Sequence, residues 1–177
     1  KPTVGILDNY LCNVLNPTIN NLVATGQNLK WYTTQTSGTP ILSSYIFPLN
    51  TYIELFVSQT VNGCESERTR VVANFQNIPT PSGQSTQIFN CNTPTIADLE
   101  VTGTNVLWWT SPTGGLSPNI DTILQNNTTY YAESNSIEGN CVSPQRLPVL
   151  VQINTSGATP YSIPFTEEFN SKLCNLG

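Results

Sequence analysis

The sequence predicts an all-β protein made of two tandem β-sandwich domains, followed by the start of a further module. Three observations predict this class: an internal repeat, short β-rich runs between turn residues, and the lack of a convincing helical period with caps. The repeat is clearest around Trp31 and Trp108, where isoleucine, leucine, glycine, asparagine and tryptophan recur at an offset of 77 residues. A period of that length suits one small domain per copy rather than a solenoid.

The individual strands follow from alternating apolar and polar residues and from enrichment in β-branched and aromatic residues. Asn62-Gly63 is a strong signal for a two-residue hairpin turn, and Glu138-Gly139-Asn140 occupies the same place in the second copy. About seven short strands per copy, with turn signals between them, predict a sandwich of immunoglobulin-like type. The main predicted strands are 29–33, 52–58 and 71–75 in the first copy, and 106–110, 129–134 and 148–153 in the second.

Turn and proline clusters predict the domain boundaries. Residues 1–78 are expected to form the first domain and residues 79–155 the second, joined by a proline-stiffened linker at 78–83. Residues 156–177 match neither copy and are expected to be a linker and the first strand of a truncated following domain. The absence of methionine indicates that the sequence is a mature or internal fragment of a longer protein.

Composition limits the classes of function. A net charge of −5, with only 10% charged residues, argues against nucleic-acid binding, which needs a basic surface. No apolar run approaches the roughly 18 residues of a membrane span, so no membrane insertion is expected. Without histidine there is no ordinary Ser-His-Asp or Cys-His set, and the acidic residues lie mostly beside turns. The sequence therefore predicts a protein that is not an enzyme and that holds no metal or cofactor.

The five cysteines predict one disulfide in each domain. Cys12 and Cys64 are 52 residues apart in the first copy, and Cys91 and Cys141 are 50 residues apart in the second. Such bridges favour an oxidising compartment. The alternative is four buried free thiols, while zinc is disfavoured because the chain has no histidine and no Cys-x-x-Cys pair. Cys174 lies beyond both copies, and its partner is expected beyond residue 177.

The aromatic residues divide between core and surface. Trp31 and Trp108 are expected in the two cores, because they recur at the repeat offset and suit the core tryptophan of a sandwich. Side chains alternate along a strand, so Trp109 is expected on the opposite face, near a tyrosine such as Tyr131. These two rings are the candidate residues for stacking on a sugar. The alternative is that Trp109 packs against a neighbouring strand or the other domain.

Several local motifs together resemble a known family. Ala97-Asp98-Leu99, Thr128-Thr129-Tyr130-Tyr131-Ala132 and Cys64-Glu65-Ser66-x-Arg68 are similar to the Ig-like domains repeated in large surface and secreted proteins of gliding Bacteroidetes, of Cytophaga and Flavobacterium type. The first copy departs from that pattern: Gly38 lacks a preceding glycine, and Tyr52-Ile53 replaces a double tyrosine. Asp121-Thr122-Ile123 resembles a short O-glycosylation acceptor of such organisms, which makes Thr122 a candidate modification site.

The resemblance implies a function outside the cell. It implies export by the type IX secretion system to the extracellular medium or the outer cell surface, in a protein connected with gliding motility. The expected function is a non-catalytic repeat segment of a large surface protein, acting as an adhesin stalk, display segment or interaction module. The alternative is an accessory spacer, or a pair of carbohydrate-contacting domains, in a secreted multidomain hydrolase. The expected partners are neighbouring domains of the same chain, and surface polysaccharide or other cell-surface components.

Overall fold

A computed structural model of the chain describes residues 1–5, 9–90 and 93–154. The chain divides into two compact units: unit 1 is Lys1–Ile78 with Glu138–Val142, and unit 2 is Pro79–Ile137 with Ser143–Gly177. The predicted further module at 156–177 lies outside the described residues.

Both units are built from strands, which confirms the predicted all-β class. The only helical elements in the described part of the chain are two 3₁₀ helices of three residues, Ile19–Asn21 and Ile96–Asp98. Both begin at a threonine, Thr18 or Thr95, and both carry a capping box with the third helical residue. The two threonines lie 77 residues apart, so the internal repeat extends to how these turns are capped.

Unit 1 contains one four-stranded sheet and a small hairpin. The sheet is formed by β1 Tyr10–Cys12, β2 Lys30–Tyr32, β3 Tyr52–Ser58 and β6 Thr69–Gln76. Its strand order is β1-β6-β3-β2, with β1 parallel to β6 and the other pairs antiparallel. The hairpin consists of β4 Thr60–Val61 and β5 Cys64–Glu65. Val61 pairs with Cys64 across Asn62-Gly63, so the predicted hairpin turn is confirmed.

Unit 2 repeats the four-stranded sheet. It is formed by β7 Thr86–Phe89, β8 Leu107–Trp109, β9 Thr128–Glu133 and β10 Leu147–Ile153. The order is β7-β10-β9-β8, and the first and last strands again pair in parallel. The main strands predicted from periodicity are therefore present in both copies, within a few residues of the predicted bounds.

The hydrophobic core of each unit lies on one side of its sheet. Trp31 and Trp108 are 5% and 8% exposed, which confirms their prediction as core residues. In unit 2 the core is completed by Ile96, Leu99 and Leu124, which lie outside the strands. Phe47 has the same role in unit 1. Among the described residues, the segments opposite each sheet are thus irregular rather than a regular second sheet, and fewer strands form than the seven predicted per copy.

Isolated pairings and 3₁₀ turns explain that irregular layer. The bridges Thr3–Thr25, Ser82–Thr102 and Thr95–Ile123 each join only one residue pair. The segments that carry them are interrupted by prolines, which lack the N–H that a ladder needs. Apolar side chains therefore close the core while the backbone remains irregular.

The predicted disulfide pairing is wrong. Cys12 is bonded to Cys141 rather than to Cys64, with a Cα–Cα distance of 5.4 Å and a sequence separation of 129 residues. Cys64 is exposed and, among the described cysteines, it is a free thiol. A bond between Cys91 and Cys141 is excluded because Cys141 is already bonded, and Cys91 itself lies outside the described residues.

The position of each cysteine along the sheet explains this correction. Cys12 pairs with Gln76, beside the end of the sheet where β3 begins at Tyr52. Cys64 belongs to the hairpin that follows Ser58, at the other end of β3. A strand of that length spans about 20 Å, whereas a disulfide requires Cα atoms about 4.4–6.8 Å apart. Equal spacing along the sequence therefore concealed that the two cysteines lie at opposite ends of the sheet.

We predict that non-reducing peptide mapping of the oxidised chain will join Cys12 to Cys141. In the chain-entropy relation, a loop of 129 residues contributes about 5 kcal/mol, so the Cys141→Ser variant should lose up to that amount of unfolding free energy. Cys64→Ser is the matched control and should change the unfolding free energy little. A Cys12 peptide recovered linked to Cys64 would contradict the structure.

Candidate functional site: two arginine-clamped loops

An arginine in each unit lies over an aromatic ring and binds the backbone of a surface loop. In unit 1 the guanidinium of Arg68 lies 3.2 Å from the centroid of the Tyr32 ring. Its Nη1 donates to the carbonyl oxygens of Thr34 and Ser37, at 2.8 and 2.6 Å. We call this arrangement, an arginine with its ring and two loop carbonyls, an arginine clamp.

Unit 2 contains the same clamp. The guanidinium of Arg146 lies 4.0 Å from the centroid of a Trp109 ring, and its Nη1 donates to the carbonyl oxygens of Ser111 and Gly114, at 2.8 and 2.7 Å. The ring and both carbonyl residues lie 77 positions after their counterparts in unit 1, and the arginine lies 78 after. A planar guanidinium suits this task because it stacks on a ring while its donors remain free to bind in the plane.

Each clamped loop requires a left-handed backbone. Gly114 and Gly115 have φ angles of 60° and 79° in unit 2, and Ser37 and Gly38 have φ angles of 61° and 80° in unit 1. Glycine adopts such angles without strain, whereas a residue with a Cβ does so at a cost of about 1–2 kcal/mol. The glycine missing from the first copy is therefore replaced by a serine held in the glycine conformation.

The two units supply different carboxylates beside the clamp. In unit 2, Glu133 on β9 forms an ion pair with Arg146 at 2.9 Å, and both side chains are only about a tenth exposed, at 11% and 10%. In unit 1, the corresponding end of β3 carries Ser58. The carboxylate there is Glu65, which accepts hydrogen bonds from Ser58, Tyr32 and Lys30 at 2.6, 2.6 and 3.2 Å.

These hydrogen bonds change the ionisation of Glu65. The Ser58 hydroxyl, followed by the Tyr32 hydroxyl and the Lys30 ammonium, lowers the pKa of the Glu65 carboxyl from 4.5 to about 2. All three donors favour the charged form of the carboxylate, which is why the pKa falls. A low-pKa carboxylate that is bonded to three side chains acts as a structural acceptor, and it is poorly suited to general-acid catalysis.

Unit 1 has two open cavities beside the clamped loop. One, of about 490 Å³, is charged, and Glu65, Glu67, Lys1 and Arg68 are among its lining residues. Its charges are already engaged, since Lys1 pairs with Glu67 at 2.7 Å and the clamp uses Arg68. The other, of about 550 Å³, has an uncharged lining: Thr33, Thr39, Pro40, Ile41, Leu42, Ser44, Tyr45 and Ile46. Three of these side chains, Leu42, Tyr45 and Ile46, are more than half exposed.

The structure brings the two predicted stacking residues together. Trp109 on β8 pairs directly with Tyr131 on β9, and both side chains are partly buried. Arg146 covers one face of the Trp109 indole, and the indole Nε1 is buried without a hydrogen-bond partner among the described residues. The indole is thus largely committed to contacts within unit 2. Thr122, the candidate modification site, is exposed.

The clamps themselves were missed at the sequence level. Arg68 was noted only as the last residue of the Cys-Glu-Ser-x-Arg motif, and Arg146 was not singled out. The detectable signal was the recurrence of an arginine at nearly the repeat offset, opposite a recurring aromatic residue at position 32 or 109. In a chain with only six lysines and arginines, that recurrence is informative.

Searches for other kinds of site give little. Among the described residues, no group of three or more Cys, Asp or Glu side chains is placed to hold a metal ion. None of the described helices has the length and apolar character needed to cross a membrane. No protein-family model and no curated protein matches the sequence.

The strained serine gives a prediction about the clamped loops. Ser37→Gly should raise the unfolding free energy by about 0.5–1 kcal/mol, because relief of the left-handed strain exceeds the added flexibility of the unfolded chain. Gly114→Ser, the matched reverse change in unit 2, should lower it by a similar amount. Urea unfolding of both variants measures the effect, and a destabilised Ser37→Gly variant would refute the strain assigned to this position.

The low pKa of Glu65 gives a prediction about pH. A carboxyl group whose pKa is depressed on folding stabilises the folded state fully above pH 4.5, and loses that contribution as the pH falls through about 2. Glu65→Gln should therefore flatten the loss of stability of β2 and β3 between pH 4.5 and 2, measured by native-state hydrogen exchange. Asp121→Asn, which removes an exposed carboxylate in unit 2, is the control. An unchanged acid profile in Glu65→Gln would contradict the assignment.

Proposed function

We propose that this chain is a non-catalytic repeat segment of a large exported surface protein, serving as a stalk or display segment of an adhesin. The observation that carries the proposal is the duplicated clamp: the same loop is fixed by the same type of residue in both units. The charged groups around each clamp bind backbone carbonyls, hydroxyls and each other. Their chemistry is used to hold structure, which is the requirement for a spacer.

The proposal includes an immunoglobulin-like fold for each repeat. Support comes from the strand order β1-β6-β3-β2 and its counterpart in unit 2, in which the first strand lies parallel to the last. The buried tryptophans on β2 and β8 are also typical of such domains. The irregular segments opposite each sheet then take the place of the second sheet.

The proposed location is the extracellular medium or the outer cell surface. The disulfide between Cys12 and Cys141 supports an oxidising compartment, because cytosolic thiols are normally kept reduced. Export by type IX secretion and a connection with gliding motility follow from the motif resemblance alone. The proposed partners are neighbouring domains of the same protein, and surface polysaccharide or other cell-surface components, with no cofactor.

A replacement experiment tests the stalk. In the parent protein, residues 1–154 would be exchanged for an unrelated pair of β-domains of equal length, and compared with a simple deletion. We expect the exchange to preserve surface display and adhesion and the deletion to reduce adhesion, because a spacer acts through its length. Surface labelling of intact cells and an attachment assay measure the two properties. Loss of adhesion after the length-matched exchange would contradict the stalk and favour a direct binding role.

The adjacency of Trp109 and Tyr131 favours a second candidate function, contact with polysaccharide as part of a secreted hydrolase. The same purified chain would be tested for binding to insoluble polysaccharides, together with Trp109→Ala. Tyr45→Ala, which removes an exposed ring in unit 1, is the control for general surface stickiness. Binding lost only in Trp109→Ala would replace the stalk with this second function, whereas no binding by the unaltered chain excludes it for the glycans used.

A further inference from the structure

Cys64 and Cys141 occupy the same place in the two repeats. Each follows the turn of a hairpin region, and each precedes a serine, Ser66 or Ser143, by two residues. Those serines make equivalent bonds: the N–H of Ser66 donates to the carbonyl of Gln59, and that of Ser143 donates to the carbonyl of Ser134, both at 2.8 Å. Both hydroxyls also accept a backbone N–H from the same two residues, at 3.2 Å. The backbone that positions the two cysteines is therefore shared.

The two cysteines differ in what they bind. Cys141 is 2% exposed and bonded to Cys12, whereas Cys64 is exposed and carries a free thiol. This bond is an independent observation that bears on Cys64, because it shows which group binds a cysteine at this position of the repeat. The group is the cysteine at the end of the first strand of a repeat.

The contacts around the Cys12–Cys141 bond are largely independent of sequence on the hairpin side. The amide of Asn13 donates to the main-chain carbonyl of Val142 at 2.9 Å. Glu65 has the position of Val142 in the first repeat and offers the same main-chain carbonyl. A hydrogen bond between Tyr52 and Glu138 is the one side-chain contact from the hairpin region in this group. The surface that receives Cys141 can therefore receive the hairpin that carries Cys64.

We propose that Cys64 is the attachment site for another copy of this repeat, through a disulfide to that copy's cysteine at the position of Cys12. Two thiols become one disulfide, and the two electrons and two protons pass to a disulfide oxidant, which is released as two thiols. The inference deepens the proposed stalk, because it supplies a covalent link from one repeat to another. The other copy belongs either to the same polypeptide or to a second molecule.

Mixing two variants of the full chain tests the proposal. Both carry Cys91→Ser and Cys174→Ser; the first retains the Cys12–Cys141 bond and a free Cys64. The second also carries Cys64→Ser, Cys141→Ser and Glu138→Ala, which leave Cys12 free and remove the competing bonds of its own hairpin region. In a glutathione redox buffer, the mixed Cys64–Cys12 dimer should exceed the Cys64–Cys64 dimer by about tenfold, the factor supplied by one or two added hydrogen bonds.

Peptide mapping identifies the bonds, and circular dichroism checks that each variant is folded. Asn13→Ala in the second variant should reduce the excess of the mixed dimer while leaving Cys12 available. Equal amounts of mixed dimer and Cys64–Cys64 dimer, with all variants folded, would overturn the proposal. So would a Cys64 found only as a glutathione adduct. The stalk experiment is independent of this result, so a failure here leaves the proposed function standing.

Non-reducing analysis of the native parent protein distinguishes the two sources of the partner. A Cys64 peptide linked to a cysteine of another repeat, in a protein that migrates as a monomer, indicates a link within one polypeptide. The same link in a species of twice the mass, converted to monomer by reduction, indicates a link between molecules. A free Cys64 in native material would overturn the proposal for both sources.

Discussion

The stacking of an arginine on an aromatic ring is the interaction on which the loops of both units depend. The guanidinium joins three elements: the ring on the edge strand, two carbonyls of the following loop, and the start of the last strand. Without it, the loop carbonyls would lose their donors and the ring would lose its cover. In a chain with only 10% charged residues, few other side chains are able to substitute. A lysine would bind as a point charge and would satisfy the stack and both carbonyls less well.

The repeat preserves this geometry while changing the residues that surround it. Unit 2 balances its arginine with Glu133, a largely buried partner on the neighbouring strand. Unit 1 has Ser58 at the end of the corresponding strand and instead brings Glu65 from the hairpin to accept from Ser58 and Tyr32. A buried ion pair requires its partner, because loss of one charge leaves the other uncompensated. The more open carboxylate of unit 1 tolerates solvent, so this copy is free to vary more at the clamp.

Sequence patterns were sufficient for the strands and insufficient for long-range pairings. The alternation around Trp31 and Trp108 and the Asn62-Gly63 turn are local, and local signals predicted them correctly. The disulfide is not local: the equal spacings of the cysteines carried no information on which end of the sheet each cysteine occupies. The arginine clamps likewise join positions more than 30 residues apart. The second sheet failed to form because apolar residues predict burial, whereas a ladder also requires paired backbone groups over several residues.

The observed disulfide contributes less stability than the pairing expected from sequence. By the chain-entropy relation, one loop of 129 residues contributes about 5 kcal/mol, whereas two loops of about 50 residues would contribute roughly 8 kcal/mol together. Stability alone therefore does not explain why Cys12 bonds to Cys141 and leaves Cys64 exposed. A bond that spans one repeat and reaches into the next does have a reason in a protein of tandem copies. It ties residues of different repeats covalently, and it leaves one equivalent cysteine available for the same bond to a further copy.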